Sequence, residues 1–476
     1  MKKVLHFLSW QVFTSSVGKF PLPQLVNGEG KCEWCINSEL RNLRHKYRTT
    51  SVIFHNFAEN FFLMMMKIKC LLFGAVMLMG LCASSCWKAN AHDGTQADSV
   101  CIVDSDSVRI ADSIRVADST RIADSIRVAD STYHITLLFA GDLMQHSQQI
   151  QMGRKADGTY DYSLCFKYMK EEIERADVAI ANFETTLGGA PYTGYPQFCS
   201  PDQFLIDSHD AGFDIMLTAN NHVCDRYSKG IERTIAMMDS LKVPHLGSYV
   251  NEQEREKNYP FLLEKNGFRI VLLNYTYGTN GIPTRKPNVV NYIDKKQMAI
   301  DIAKAKGMNP DAIIACMHWG VEYTLQPVPA QRQLADWLFS QGVTHIIGGH
   351  PHVVEPMEVR TDAAGDKHVL VYSLGNFISN MSKPNTTGGM TVRLQLSKQH
   401  GKTTLAHTDY SLCFVSRGLS NGKGQSMVLP ASMPDSQLNA HERAVKHQFT
   451  RAARAMFARS NKNVSERQIP LPTVKK

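Results

Sequence analysis

Between residues 134 and 380, short apolar runs alternate with stretches of helical spacing, and almost every apolar run ends in side chains able to ligate a metal or move a proton. "HITLLFAGDLM" (134–144) ends at Gly141 and Asp142, and "DVAIANFETTL" (177–187) carries Asn182 and Glu184. "FDIMLTANNHVCD" (213–225) delivers Asn220, Asn221 and His222, and "PDAIIACMHWGVEY" (310–323) delivers His318. "VTHIIGGHPHVVEP" brings His350 and His352, and "KHVLVYSLGNFISN" (367–380) brings Asn376. "FRIVLLNYTYG" (268–278) is a further strand, and helices are expected over 163–176, 201–212, 228–241 and 331–342. Strands alternating with helices give an α/β fold. In open α/β sheets the carboxyl ends of the strands collect along one edge, where ligands bind. Six separate segments therefore send Asp, Glu, Asn and His to one rim. A lone histidine after a strand is more often satisfied by a backbone carbonyl; the joint occurrence is what points to a site.

The residue types indicate the chemistry. Mixed carboxylate, imidazole and amide-oxygen ligands suit borderline divalent ions such as Mn²⁺, Fe²⁺ or Zn²⁺ rather than Ca²⁺ or Cu⁺. One or two such ions can clamp a phosphoryl group and generate hydroxide, and a carboxylate can bridge a pair. In His350-Pro351-His352 the two imidazoles can diverge toward different ions. Pro351 stiffens that turn, and Gly348 and Gly349 permit a close backbone approach.

Other features bound the function more loosely. The formal charge of +8 is spread along 476 residues without a Lys/Arg block, which gives no case for a nucleic-acid partner. Eleven scattered cysteines outline no disulfide framework, and Cys32-Glu33-Trp34-Cys35 lacks a second pair to complete a zinc site. Lys67 and Lys69, then "CLLFGAVMLMGLCASSC" ending at Cys86, have the layout of a lipoprotein signal over 64–86, with Cys86 as the lipidated residue. The chain is thus expected to be exported and held at the membrane of a bacterial cell envelope by a lipid anchor, or alternatively periplasmic. Residues 1–63 then read as an extension ahead of the true start. Asp106, Asp112, Asp118 and Asp124 each stand three residues before an Arg, at 109, 115, 121 and 127, and Asp130 continues the period of six across 104–132. Six is no multiple of 3.6, so no apolar stripe forms, and 87–133 reads as a charged tether.

Six segments in order, "FAGDLM", "IANFETTL", "DIMLTANNHVCD", "MHWGVEY", "IIGGHPHVVEP" and "VYSLGNFI", resemble the CapA family of capsule synthesis, associated with poly-γ-glutamate and belonging to the calcineurin-like metallophosphoesterase superfamily. The resemblance covers 134–380 and implies a four-layer α/β/β/α sandwich. It implies Asp142, Glu184, Asn221, His318, His350 and His352 as metal ligands. Glu184 stands at the bridging position, His318 and His350 serve one ion, and His352 serves the other. It further implies His222 as the residue that stabilises the phosphoryl group or protonates the leaving group, and Asn182, Glu322 and Asn376 as substrate contacts. One position departs from the superfamily's Asp-x-His opening: Met144 replaces the imidazole, with His146 as a nearby substitute.

The expected activity is that of an exported metal-dependent hydrolase or transferase acting on capsule, poly-γ-glutamate or a related envelope polymer. The alternatives are a non-enzymatic polymer-export accessory and a phosphoesterase or nucleotidase of the same superfamily. Beyond residue 380, 387–396 and 403–418 read as strands completing a sheet or forming a β appendage. A basic helix over 438–460 reads as a packing helix with a solvated basic face, the alternative being contact with an anionic polymer or membrane surface.

Overall fold

The structure, a computed structural model, describes residues 132–417 and 424–471. The expected extension (1–63), lipoprotein signal (64–86) and nearly all of the tether (87–133) lie outside them. Two sheets pack face to face. In spatial order the first runs Met427–Pro430, Lys402–Ser416, Gly388–Gln399, Tyr133–Leu143, Val178–Phe183, Ile215–Leu217 and His245–Leu246. The short strand Asn376–Ile378 joins it beside the end of Tyr133–Leu143. The second runs Met357–Thr361, Lys367–Val371, His345–Gly349, Ala312–His318, Phe268–Thr276 and Phe261–Lys265.

Period-two alternation along the strands explains the layers. Ile135, Leu137, Phe139, Val178, Ile180 and Ile215 face the core shared with Ile270, Leu272 and Ile314 of the second sheet. Their neighbours Leu138, Ala140, Ala179, Ala181 and Met216 face outward, where Phe166, Phe204 and Leu205 of the short helices cover them. On the far side, Met298 and Ile302 of helix Lys295–Gly307 and Leu334 and Leu338 of helix Pro329–Ser340 cover the second sheet. This is the expected α/β/β/α sandwich.

Two local readings change. The stretch 367–380 is not one strand unit: Lys367–Val371 belongs to the second sheet and Asn376–Ile378 to the first. The crossing is made at Gly375, whose φ of 67° is a left-handed value that glycine adopts without a Cβ penalty. The helix expected over 163–176 is two short pieces, Ser163–Phe166 and Lys170–Glu174. The C-terminal strands continue the first sheet, with Gly388–Gln399 antiparallel to Tyr133–Leu143. The last helix, Ala440–Ser460, sinks Phe449, Ala453, Met456 and Phe457 into the core. Four of its basic groups pair within the domain: Lys446 and His447 with Asp435, Arg443 with the Leu438 carbonyl, and Arg454 with Glu466.

All strands that bear candidate residues run parallel, so their carboxyl ends share one edge. Pairing of the first strand with Val178–Phe183 shifts register at Gly141, between Ala140↔Ala181 and Asp142↔Asn182. Such a bulge re-aims the following side chain, here Asp142. A Cβ at Gly141 would lie 1.8 Å from the Gly375 carbonyl oxygen, a backbone atom with no freedom to retreat. Gly141→Ala is accordingly expected to cost about 3 kcal/mol or more, at or beyond the upper end of ordinary overpacking. A urea midpoint equal to that of the wild type would contradict this close approach.

Candidate metal centre

At the shared edge the two sheets bring their candidate residues within reach of each other. Asp142, Glu184 and His318 are buried, and each offers a ligand atom within 4.8 Å of the others. His352 Nδ1 lies 3.3 Å from Asp142 Oδ2, and its Nε2 lies 3.9 Å from Glu184 Oε1. His318 Nε2 is 3.8 Å from Glu184 Oε1 and 2.6 Å from Asn221 Oδ1. The His350 ring centroid sits 4.9 Å from that of His318 and 5.9 Å from that of His352. Asn182 Nδ2 donates to Asp142 Oδ1 at 2.8 Å and to Glu184 Oε2 at 3.0 Å, holding the two carboxylates together. Asn376 Oδ1 is 3.1 Å from His352 Nδ1. Glu322 alone of the candidates is exposed; it stands at the rim, near enough for its charge to act on Glu184.

The turn that carries the paired histidines is strained. His350 has φ 98° and His352 φ 58°, both left-handed, at residues that gain nothing from it. Each such residue costs of order 1–3 kcal/mol and persists only where its surroundings over-determine it. Here the Pro351 carbonyl accepts from the Tyr323 N–H at 2.8 Å, and the Gly349 carbonyl accepts from the Trp319 N–H at 3.1 Å. Both imidazoles of this turn are buried beside His318 and each other.

The electrostatics of the group suit it to a cation. Burial, followed by the neighbouring Asp142 charge, raises the Glu184 carboxyl well above its ordinary range. Burial holds the His318 imidazole well below its ordinary range, and His350 falls to about 4, both assisted by the other histidines. These two rings are therefore neutral near pH 7, the form that binds a metal. Asp142 Oδ2, Glu184 Oε1 and His350 Nδ1 are buried without a hydrogen-bond partner. Such unpaired atoms are rare because each costs free energy. Two carboxylates, neutral imidazoles and an amide oxygen, with three unpaired ligand atoms among them, fit one or two divalent cations. A cavity of about 20 Å³, room for about one water molecule, is lined by Asp142, Asn182, His318, Leu217, Ile347 and Leu374.

His222 sits beside this group. Its Nδ1 is 2.7 Å from Asp225 Oδ2, which also accepts the Phe198 N–H at 2.6 Å. Asp225 was not marked by the sequence reading, although its i+3 spacing from His222 on a turn was the available signal. Tyr277 and Asn280 were also missed, because the run that leads to them ends without an acid or imidazole. Tyr277 lies over His350 with centroids 4.4 Å apart, and burial and Glu322 push its hydroxyl up to about 12. Met144 is buried, its backbone N–H bonded to the Ile378 carbonyl at 2.9 Å. His146 Nδ1 accepts the Asn380 N–H at 3.2 Å, its ring packs edge-on against Phe198, and it lies near enough to His352 and His222 for their charges to act on it.

Glu355, which ends the strained turn, is fully buried. Its Oε2 accepts from Gln331 Nε2 at 2.7 Å, and its Oε1 has no partner. Burial pushes this carboxyl from 4.5 up to about 8. The folded state thus keeps a proton that the unfolded chain releases above about 4.5, so stability falls as pH rises from there to about 8. The loss is of order 3–5 kcal/mol at 1.36 kcal/mol per unit. Glu355→Gln is expected to flatten that slope, read as the difference between urea midpoints at pH 5 and pH 8.

A family model described as "Bacterial capsule synthesis protein PGA_cap" matches residues 136–381. The chain is similar to "Capsule biosynthesis protein CapA" of Bacillus anthracis, 25% identical over 275 residues, covering 55% of this chain and 64% of that protein. The match thus spans just under two thirds of that curated relative. It is also similar to "PGA biosynthesis protein CapA" of Bacillus subtilis (strain 168), 27% identical over 274 residues, covering 55% of this chain and 67% of that one. Among solved structures it is similar to a calcineurin-like phosphoesterase of Bacillus subtilis, with a TM-score of 0.35, 13% identity, and coverage of 68% of this chain and 98% of that one.

Proposed function

This chain belongs to the PGA_cap family of bacterial capsule synthesis proteins, and on that premise we propose that it is a metal-dependent hydrolase or transferase acting on an anionic envelope polymer. The observation that carries the reading is the convergence of Asp142, Glu184 and His318 in a buried site whose ligand atoms include unpaired ones. Asp142, Glu184, Asn221, His318, His350 and His352 would hold one or two of Mn²⁺, Fe²⁺ or Zn²⁺. Bound there, such ions supply Lewis acidity and a hydroxide nucleophile at neutral pH.

The remaining work belongs to the protein. Asp225 takes the Nδ1 hydrogen of His222, which fixes the tautomer and leaves Nε2 to exchange a proton with a substrate oxygen. Asn182 holds the two carboxylates in register. Glu322 and Tyr277, exposed at the rim, are placed to meet the parts of a substrate away from the reacting bond. Export and attachment to the membrane through lipid on Cys86 complete the proposal, since the signal-like run precedes the tether. Metabolic labelling with a fatty-acid probe, compared with Cys86→Ala, tests the anchor; an unlabelled wild type would remove it.

One observation favours a second reading. Met144 stands at the sequence position where the superfamily's Asp-x-His opening has its imidazole, so one ion would have fewer ligands, which suits an accessory protein that binds the polymer without cleaving it. Incubating the Mn²⁺-loaded full chain with poly-γ-glutamate and with a panel of phosphate esters separates the readings. Metal-dependent scission or transfer on the polymer supports the proposal. Turnover of phosphate esters alone would assign a phosphoesterase or nucleotidase, and polymer binding without turnover would assign the accessory role.

A further inference from the structure

Asn280 lies on the loop after strand Phe268–Thr276, at φ 50°, with an exposed side chain that reaches two members of the site. Its Oδ1 accepts from Asn221 Nδ2 at 3.2 Å and from the Tyr277 hydroxyl at 3.4 Å. Its Nδ2 faces His222 Nε2 at 3.5 Å. The directions of these bonds are mutually consistent. Asp225 takes the Nδ1 hydrogen of His222, so Nε2 is an acceptor and requires the amide NH₂ of Asn280. That leaves Asn280 Oδ1 for the Asn221 NH₂. Asn221 must then present its own Oδ1 inward, to the side of His318 and Glu184.

An asparagine amide has an oxygen and a nitrogen of similar shape, and only the oxygen can bind a cation. Nothing within Asn221 selects between the two orientations; its partners do, and with the His318 nitrogen that lies 2.6 Å from its Oδ1 given to a cation, the outer partner Asn280 would be left to do so. We infer that Asn280 is a positioning residue that fixes the amide of Asn221 with its oxygen toward the metal centre, and that this loop is therefore part of the ion-binding apparatus. The inference rests on the metal reading proposed above. Groups one step outside a metal site orient its ligands in this way, and losing them costs 10–100-fold in affinity.

The test is Mn²⁺ titration calorimetry on the full chain as wild type, Asn280→Gly and Asn280→Asp. Glycine tolerates the left-handed backbone, so it removes the side chain without adding strain. Aspartate keeps an acceptor for the Asn221 NH₂. Asn280→Gly is expected to weaken Mn²⁺ by about 10–100-fold with an unchanged melting temperature, while Asn280→Asp stays within about threefold of wild type. The visible spectrum of the Co²⁺-loaded chain should shift in Asn280→Gly and be restored in Asn280→Asp. Wild-type affinity in Asn280→Gly would overturn the inference, as would equal weakening in both variants, because the acceptor would then not be what matters. A wild type that binds no divalent ion would instead remove the metal reading itself, a result separable from either.

Discussion

Glu184→Gln is expected to weaken Mn²⁺ binding by more than about 100-fold, since even outer partners of a metal site cost 10–100-fold, and at the same time to stabilise the metal-free chain. The second effect is what makes the experiment discriminating. Glu184 is fully buried beside Asp142, and its carboxyl is driven upward first by burial and then by that second charge. Without a cation, the folded state keeps a proton on Glu184 that the unfolded chain releases above 4.5. Stability of the metal-free chain therefore falls as pH rises above that value, and glutamine removes the fall. Replacing buried ionisable groups with neutral ones of similar volume stabilises by up to about 1–4 kcal/mol. At about 2–4 °C per kcal/mol, a melting temperature several degrees higher is expected at pH 8. Asn182 Nδ2 can still donate to the amide oxygen of a glutamine, so the packing is kept. A structural carboxylate would behave oppositely, with Glu184→Gln lowering the melting temperature and leaving ion binding alone.

The second large effect concerns turnover. His222→Ala is expected to reduce the rate constant on the substrate found in the polymer and ester screen by about 10²–10⁴, the usual range for a general acid or base. Mn²⁺ affinity should fall far less than in Glu184→Gln, because His222 reaches the metal ligands only through Asn280 and its ring nitrogens face Asn280 and Asp225 rather than the carboxylates. Asp225→Asn should reproduce part of the loss, since an amide NH₂ beside Nδ1 favours the wrong tautomer. Steady-state rates and calorimetry on the same preparations check both. A His222→Ala variant that loses the metal together with activity would place His222 among the ligands instead.

Much of this site was legible in the sequence, and the reason is physical. Parallel strands of an α/β fold must end on one edge, so Asp142, Glu184, His318, His350 and His352 could be assigned to one rim before any coordinates. The layers were legible only through the family resemblance, because Leu137, Leu138, Phe139 and Ala140 are apolar on both faces of their strand and no alternation marks which layer each one meets. The missing parts are those that no period encodes. Asp225, Tyr277 and Asn280 act from loops, where side-chain direction depends on contacts made across the fold. The division of 367–380 between two sheets hinges on a single glycine conformation at Gly375, which an uninterrupted apolar pattern conceals. The strain at His350 and His352 was visible only as a stiff turn, and its left-handed backbone is a property of the folded chain.

The account turns on whether this edge holds divalent cations. The direct measurement is the metal content of the full chain after exposure to Mn²⁺, Fe²⁺ and Zn²⁺ and exhaustive dialysis, compared with His318→Ala. One or two ions per wild-type chain, with retention lost in His318→Ala, is the result this site predicts. No retained ion in the wild type, or equal retention in the variant, would contradict it.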